Sequence, residues 1–394
     1  MNSRQQIPEL AIAMEQLDLV CFSHLRWNFV YQRPQHLMSR SGKVFRTFFI
    51  EEPVFTEGKE RIEYNYTESK IGVVTPYLNR DISEDKVPVS MNNLLVEFFR
   101  QKSILHYIFW YYTPMALEFT EKFQPELIIY DCMDELSAFK FAPSRLKELE
   151  KRLFNKADLV FTGGFSLYEH KKNQHKNIYP FPSSIDKPHF AQARMLRRDP
   201  PDQENIPHPR LGYSGVIDER FDIDLISRIA ELKKDWHFVI VGPVIKIDPA
   251  SLPQRPNIHY LGGKTYEELP FYIGGWDIAV IPFARNESTM FISPTKTPEY
   301  LAAGKPVIST SIKDVVDPYG RNGLVYIADD PESFIAAAKN IFLNPTDSKW
   351  LNEVDSFLAG NSWDKTWTSM LQLIKMTIEE KKNLNNKKKI QANV

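Results

Sequence analysis

RLGYSGVIDERFDIDLISRIAELKK, residues 210–234, runs from an apolar strand through a glycine and a charged loop into a helix-like segment that begins at Asp222. A strand that turns directly into a helix is the repeating unit of a parallel sheet covered by helices. Downstream the unit recurs: HFVIVG (237–242), IHYLG (258–262), DIAVIPF (277–283), KPVIST (305–310) and GLVYIA (323–328) are short apolar runs separated by helix-length segments. Upstream stand LDLVCFS (17–23), RTFFIE (46–51), IGVVT (71–75), ELIIYD (126–131) and DLVFTG (158–163). Near-continuous apolar strands of this kind belong to sheets buried on both faces. The expected class is therefore α/β, with two Rossmann-like doubly wound domains.

Length agrees with two domains. The chain has 394 residues, and 43% hydrophobic composition supports two sizeable cores. Between the two sets of strands lies KPHFAQARMLRRDPPDQENIPHPR (187–210), with five prolines and many charges, which reads as a linker. The expected organisation is an N-terminal domain over 1–195, a linker over 196–209 and a C-terminal domain over 210–362. A closing helix over 363–380 is expected from the stripe Trp363, Trp367, Leu371, Ile374 and Ile378. The remainder, 381–394, is a basic tail with Lys381, Lys382, Lys387, Lys388 and Lys389. It reads as a solvated disordered end, with peripheral contact to the anionic inner membrane surface as the alternative.

Several function classes lose their support. The 49 basic and 50 acidic residues leave a net charge of -1, so no broad positive field collects nucleic acid, and any anion site must be local. The two cysteines, Cys21 and Cys132, flank apolar runs and read as buried free thiols in a reducing cytoplasm. The N-terminal MNSRQQIPELAIAMEQ lacks an uninterrupted apolar core, so no signal peptide is expected. ILHYIFWYYTPMALEF (104–119) is too short and too interrupted to span a bilayer; its rings read as packing, with a bilayer interface as the weaker alternative. No G-x-G-x-x-G follows a strand and no G-x-x-x-x-G-K-[ST] occurs, which removes the main arguments for a dehydrogenase or a P-loop NTPase. Asp222-Ile223-Asp224 is literally D-x-D but opens a helix, where aspartates act as caps, and the histidines show no zinc spacing. No metal and no cofactor are expected.

Two open α/β domains joined by a linker form a cleft between the C-terminal edges of their sheets, where ligands of such folds bind. The informative segment there is SPTKTPEYLAAGKPV (293–307), following the strand DIAVIPF and the loop ARNESTMFI. It resembles the donor-binding segment of retaining GT-B glycosyltransferases of the family-four type, which use nucleotide sugars. The resemblance implies that Glu299, at the start of a helix, accepts the ribose hydroxyls, and that Lys296 with the neighbouring Ser293 and Thr295 faces the diphosphate. LGYSGVIDERFD (211–222) is similar to the opening of the donor domain, making Gly215 the close-approach position and Arg220 the diphosphate ligand. CFSHLRWNFVYQRPQHL (21–37) and YDCMDELSAF (130–139) resemble a bacterial subgroup associated with cell-surface polysaccharide or teichuronic-acid-type synthesis.

The chain departs from that pattern twice. The first glutamate of the family's E-x7-E is replaced by Phe291, with Glu287 or its loop backbone as a substitute, and the lysine five residues after the phosphate arginine is Leu225. On the acceptor side, His24, Asp131 and Asp134 stand at strand ends as candidate acid/base groups, against a capping role for either aspartate. Arg26 and Arg33 are candidate acceptor ligands, Arg33 against a structural role at a helix start. Alternatives to Arg220 and Lys296 as phosphate ligands are ion pairs with Asp218 or Glu219 and with Glu299. The expected activity is metal-independent, retaining transfer of a sugar from a nucleotide-diphosphate donor to a glycan or lipid-linked glycan. A GT-B nucleotide-sugar 2-epimerase and a non-catalytic sugar-nucleotide-binding subunit remain as rivals.

Overall fold

The computed structural model describes residues 17–195 and 198–392, with side chains to residue 384. The N-terminal stretch 1–16 and the side chains of Lys387, Lys388 and Lys389 lie outside the described residues.

Two parallel sheets organise the chain. The first holds β1 (Asp18–Phe22), β2 (Arg46–Ile50), β3 (Val54–Thr56), β4 (Arg61–Tyr66), β5 (Gly72–Asn79), β6 (Tyr107–Tyr111), β7 (Leu127–Cys132), β8 (Leu159–Thr162) and β9 (Ile178–Pro180). Its order is β3-β5-β2-β1-β6-β7-β8-β9, with β4 antiparallel on β5. The second holds β10 (Arg210–Ser214), β11 (His237–Val241), β12 (Ile258–Gly262), β13 (Ile278–Ile281), β14 (Val307–Ser309) and β15 (Val325–Ile327), in the order β12-β11-β10-β13-β14-β15. Both orders reverse direction around a central first strand, β1 and β10, so both domains are doubly wound.

The apolar strands are buried on both faces, as their sequence required: β1, β6, β10 and β13 are buried throughout. The ring-rich stretch is therefore a central strand. Trp110 and Tyr112 are wholly buried, which removes the bilayer-interface alternative. Cys21 and Cys132 are buried free thiols. No helix among the described residues is long and apolar enough to cross a membrane.

Two expectations need correction. The polar stretch 187–210 is not a free linker: it forms the helix Lys187–Ala191 and a further turn, and Ile185, Phe190, Ala193 and Ile206 join the core of the second domain. Arg210, 2% exposed, anchors it by donating to Asp199 and to the Ile206 carbonyl. The closing helix spans Trp363–Ala392, so the backbone expected to be a disordered tail continues the helix. It packs on the first domain, burying Trp363, Trp367, Met370, Ile374 and Ile378 in a core shared with β1 and β6. The C-terminal chain thus returns across the domain boundary.

Side chains also join the domains. Asp314 of the second domain is 6% exposed and accepts hydrogen bonds from the Phe165 and Ser166 amides, both at 2.9 Å, at the start of the helix Phe165–Lys171. Phe291, standing where the family has its first glutamate, stacks on His170 at 4.4 Å and packs against the first core. The position at which the resemblance implies a glutamate thus makes an inter-domain contact.

Candidate functional site

Loops that follow strands of the two sheets approach one another, and the second domain supplies cations there. After β10 the chain passes Gly215 at φ 149°, a left-handed-side conformation that favours glycine. A Cβ there would collide with the Lys296 side chain, so the missing side chain is what lets the Lys296 ammonium lie over the loop. The helix Lys296–Ala302 is held in register with that loop by Tyr300, whose buried hydroxyl accepts from the Ser214 amide at 2.8 Å. This one contact places Lys296 and Glu299 beside the end of β10.

Lys296 and Glu299 form no salt bridge with each other or with any other described residue, which removes the simple ion-pair reading. Burial pulls the Lys296 ammonium down, and nearby Arg220 adds to this, while Glu299 opposes it. Burial pushes the Glu299 carboxyl up to about 7, with Lys296 pulling the other way. Two opposite charges held close but unpaired, both half-buried, are poised for an outside partner.

Arg220 does pair with Asp218, through Nε at 2.9 Å and Nη2 at 2.6 Å, so that alternative is realised. The pair is not a loose surface contact: Asp218 is 2% exposed, and the Arg220 guanidinium lies 5.4 Å from the centre of the Phe139 ring of the first domain. Nη1 of Arg220 has no hydrogen-bond partner among the described residues. Lys246, on the loop after β11 and at φ 60°, covers the same ring at 5.1 Å. Phe139 thus sits against two cations, and the adjacent Lys140 amide donates to Glu219 at 3.1 Å. Lys246 was not among the residues expected from the sequence.

From the first domain, Asp134 and His24 reach this cluster. Burial pushes the Asp134 carboxyl up to about 6; Arg220, Arg33 and Lys246 pull it down and Asp218 pushes it up. His24 is lowered to about 4 by burial and by Lys246, so its ring is neutral at pH 7, and its buried Nδ1 has no partner among the described residues. A neutral imidazole cannot act as an acid at that pH but can accept or donate one hydrogen bond.

Three expected site residues are otherwise engaged. Asp131 is wholly buried and accepts from Arg33 at 2.8 and 3.1 Å, while Arg33, itself 4% exposed, also donates to the Phe181 carbonyl at 2.7 Å. This is a structural ion pair; neither the base role of Asp131 nor the acceptor-ligand role of Arg33 fits it. Arg26 donates through Nη1 to Glu51 at 3.0 Å and to the Glu52 carbonyl at 2.7 Å. Of the remaining residues, Ser293 is used at the domain crossing, where its carbonyl accepts from the Ser183 hydroxyl and its Oγ from the Ser183 amide. Thr295 occupies the cap position of the helix Lys296–Ala302, and Glu287 is exposed with no hydrogen bond among the described residues. Asp222 accepts from the Leu225 amide at 2.9 Å, the cap role expected of that aspartate, and Leu225 faces the core.

Residues 208–344, about a third of the chain, match the family Glycosyl transferases group 1. A protein of Bacillus subtilis (strain 168) described as a teichuronic acid biosynthesis glycosyltransferase, TuaH, is 26% identical over 254 residues, which cover 59% of this chain. The chain spans 62% of the length of that relative. Among solved structures, sucrose-phosphate synthase from Thermosynechococcus elongatus superimposes with a TM-score of 0.65 at 13% identity, over 92% of this chain and all of that one. The catalytic domain of starch synthase IV from Arabidopsis thaliana, bound to ADP and acarbose, gives 0.63 at 11%, over 92% and 99%. Anabaena HepE, in complex with UDP and glucose, gives 0.63 at 12%, over 91% and 99%. At these identities the structures establish the fold, which is GT-B.

Proposed function

We propose that this GT-B chain, whose residues 208–344 match the group 1 glycosyltransferases, moves a sugar from a nucleotide-diphosphate donor to a hydroxyl of a glycan or lipid-linked glycan. The observation that carries the reading is the convergence, at the end of β10, of Arg220, Lys246 and Lys296 with the unpaired Glu299. Glu299 accepts the two ribose hydroxyls. Lys296, Lys246 and the free Nη1 of Arg220 face the diphosphate. As the bond to the sugar breaks, negative charge grows on the departing phosphate, and fixed cations in a closed cleft stabilise it without reorganisation. Three cations, of which only Arg220 is paired with a carboxylate, Asp218, do there what a divalent ion does in other transferases, so the transfer is metal-independent. Retention of configuration and a role in cell-surface polysaccharide synthesis follow the resemblance and the Bacillus relative.

Asp134 is the acceptor-side base in this scheme. A carboxyl held near 6 is largely ionised at pH 7 yet basic enough to take a hydroxyl proton. Its folded-state value lies above its ordinary one, so its charge weakens the fold as pH rises from about 4 through about 6. Asp134→Asn is therefore expected to melt at the parent's temperature or above it at pH 8, with the advantage gone below about pH 4, while transfer loses its acid limb near pH 6. Thermal melts and pH–rate profiles on the same samples check both. A variant that melts lower at pH 8 and keeps the parent profile removes Asp134 from the site.

Turnover tests the reading as a whole. Release of nucleoside diphosphate from a panel of UDP-, GDP-, ADP- and dTDP-sugars should depend on added acceptor glycan and persist in EDTA. Epimerisation of the donor sugar with no acceptor present would establish the epimerase instead.

A further inference from the structure

A cavity of about 440 Å³ opens at the C-terminal ends of β1, β2 and β6, within the range of about 300–1,000 Å³ typical of small-molecule sites. It lies where the strand order of the first sheet reverses around β1, the place where open α/β sheets bind ligands. Ser23, the residue before His24, lines it, which puts it on the same sheet edge as the candidate acid/base residues of the first domain. None of the donor-binding residues reaches it.

Its floor and walls are apolar: Phe22, Phe55, Met91, Met115 and Phe119 line it, and Phe55 is 45% exposed at the opening. Its charged groups are four carboxylates and one guanidinium, beside the hydroxyls of Ser23, Thr113 and Ser144. Glu51 is satisfied by Arg26, the Trp27 amide and Thr75, and Glu118 stands 2.7 Å from Arg145. Glu52 and Glu84 also line the cavity, both exposed, and form no ion pair among the described residues. The one cation of the lining, Arg145, is taken by Glu118. Arg33, the residue expected to meet an acceptor phosphate, is taken by Asp131, and Arg26 pairs beside the cavity with Glu51 and the Glu52 carbonyl.

Resting on the transferase reading, we infer that this cavity is the acceptor subsite and that it takes an uncharged or amino sugar residue, not a phosphorylated or uronic one. A pyranose ring presents an apolar C–H face that suits the Phe55 and Met115 surface, and its rim of hydroxyls donates to carboxylates. An ammonium group adds attraction to Glu52 and Glu84. A phosphate or carboxylate held there meets four carboxylates, Glu51, Glu52, Glu84 and Glu118, against two guanidiniums, Arg26 and Arg145, each already paired with one of them.

Three probes of one shape separate the classes: phenyl β-D-glucopyranoside, phenyl 2-amino-2-deoxy-β-D-glucopyranoside and phenyl β-D-glucuronide, each titrated against the full chain by ligand-observed NMR. The neutral and amino probes are expected to bind at least about tenfold more tightly than the glucuronide, and Glu52→Gln/Glu84→Gln, at exposed positions, should close that gap. Met91→Trp, which fills the cavity, should abolish binding of all three. Equal or tighter binding of the glucuronide, no binding of any probe, or probe binding unchanged in folded Met91→Trp overturns the assignment. Nucleoside-diphosphate binding, measured on the same samples, reports separately on the transferase reading.

Discussion

Asp131→Ala is expected to cost about 3–5 kcal/mol of folding stability, because it leaves the Arg33 guanidinium buried without its counter-ion. The pair is closed on every side: Asp131 is wholly buried, and Arg33 uses its remaining reach on the Phe181 carbonyl. The loss is measured as a shift in the denaturation midpoint, and the double variant Arg33→Met/Asp131→Leu should recover most of it, since no charge is then stranded. Activity per folded molecule should survive in the double variant. If instead Asp131→Ala folds normally and loses turnover, Asp131 is the base after all and the structural assignment fails.

Glu299→Ala is expected to weaken donor binding on the order of 100-fold, since two hydrogen bonds to a charged acceptor, each worth about 1.5–3 kcal/mol, are lost and partly replaced by water. The fold should be unaffected or gain, because the carboxyl is held up near 7 by burial and its charge weakens the folded state above that value. The same shift gives binding a pH dependence. Only the carboxylate accepts both hydroxyls, so donor affinity of the parent should rise between about pH 6 and pH 8 more steeply than that of Glu299→Gln, in which only the ligand's own terminal phosphate titrates. Isothermal titration with nucleoside diphosphates at several pH values checks the fold-change and the slope together. A variant that binds as the parent does removes Glu299 from the site.

The parts of this architecture that were legible in the sequence are those written in contiguous residues. β10 through the following helix, and Lys296 through Val307, are single local units in which strand, glycine, cation and carboxylate follow one another. β6 was missed as a strand because aromatic residues on both of its faces read as a ring cluster; its burial on both sides explains the pattern. β3, β4 and β9 are short or exposed and carry little apolar signal. The stretch 187–210 looked like a linker because its core contacts, Phe190, Ala193 and Ile206, are spaced without a period among prolines and charges.

The site shows the same limit. Arg33 and Asp131 are 98 positions apart, and their mutual occupation follows only from β7 ending beside the helix Arg33–Ser41. Lys246 lies on a different loop from every motif residue, so nothing near it in sequence marks it.

In the proposed reaction the cations at the end of β10 hold a nucleoside diphosphate without a metal ion. Calorimetric titration of the full chain with UDP, GDP, ADP and dTDP in EDTA tests it most directly, with Lys296→Ala and Lys246→Ala alongside. The account predicts that at least one of the four binds the parent with no metal present and binds each variant at least about tenfold more weakly. Binding that requires added divalent metal, or that is indifferent to both lysines, would contradict it.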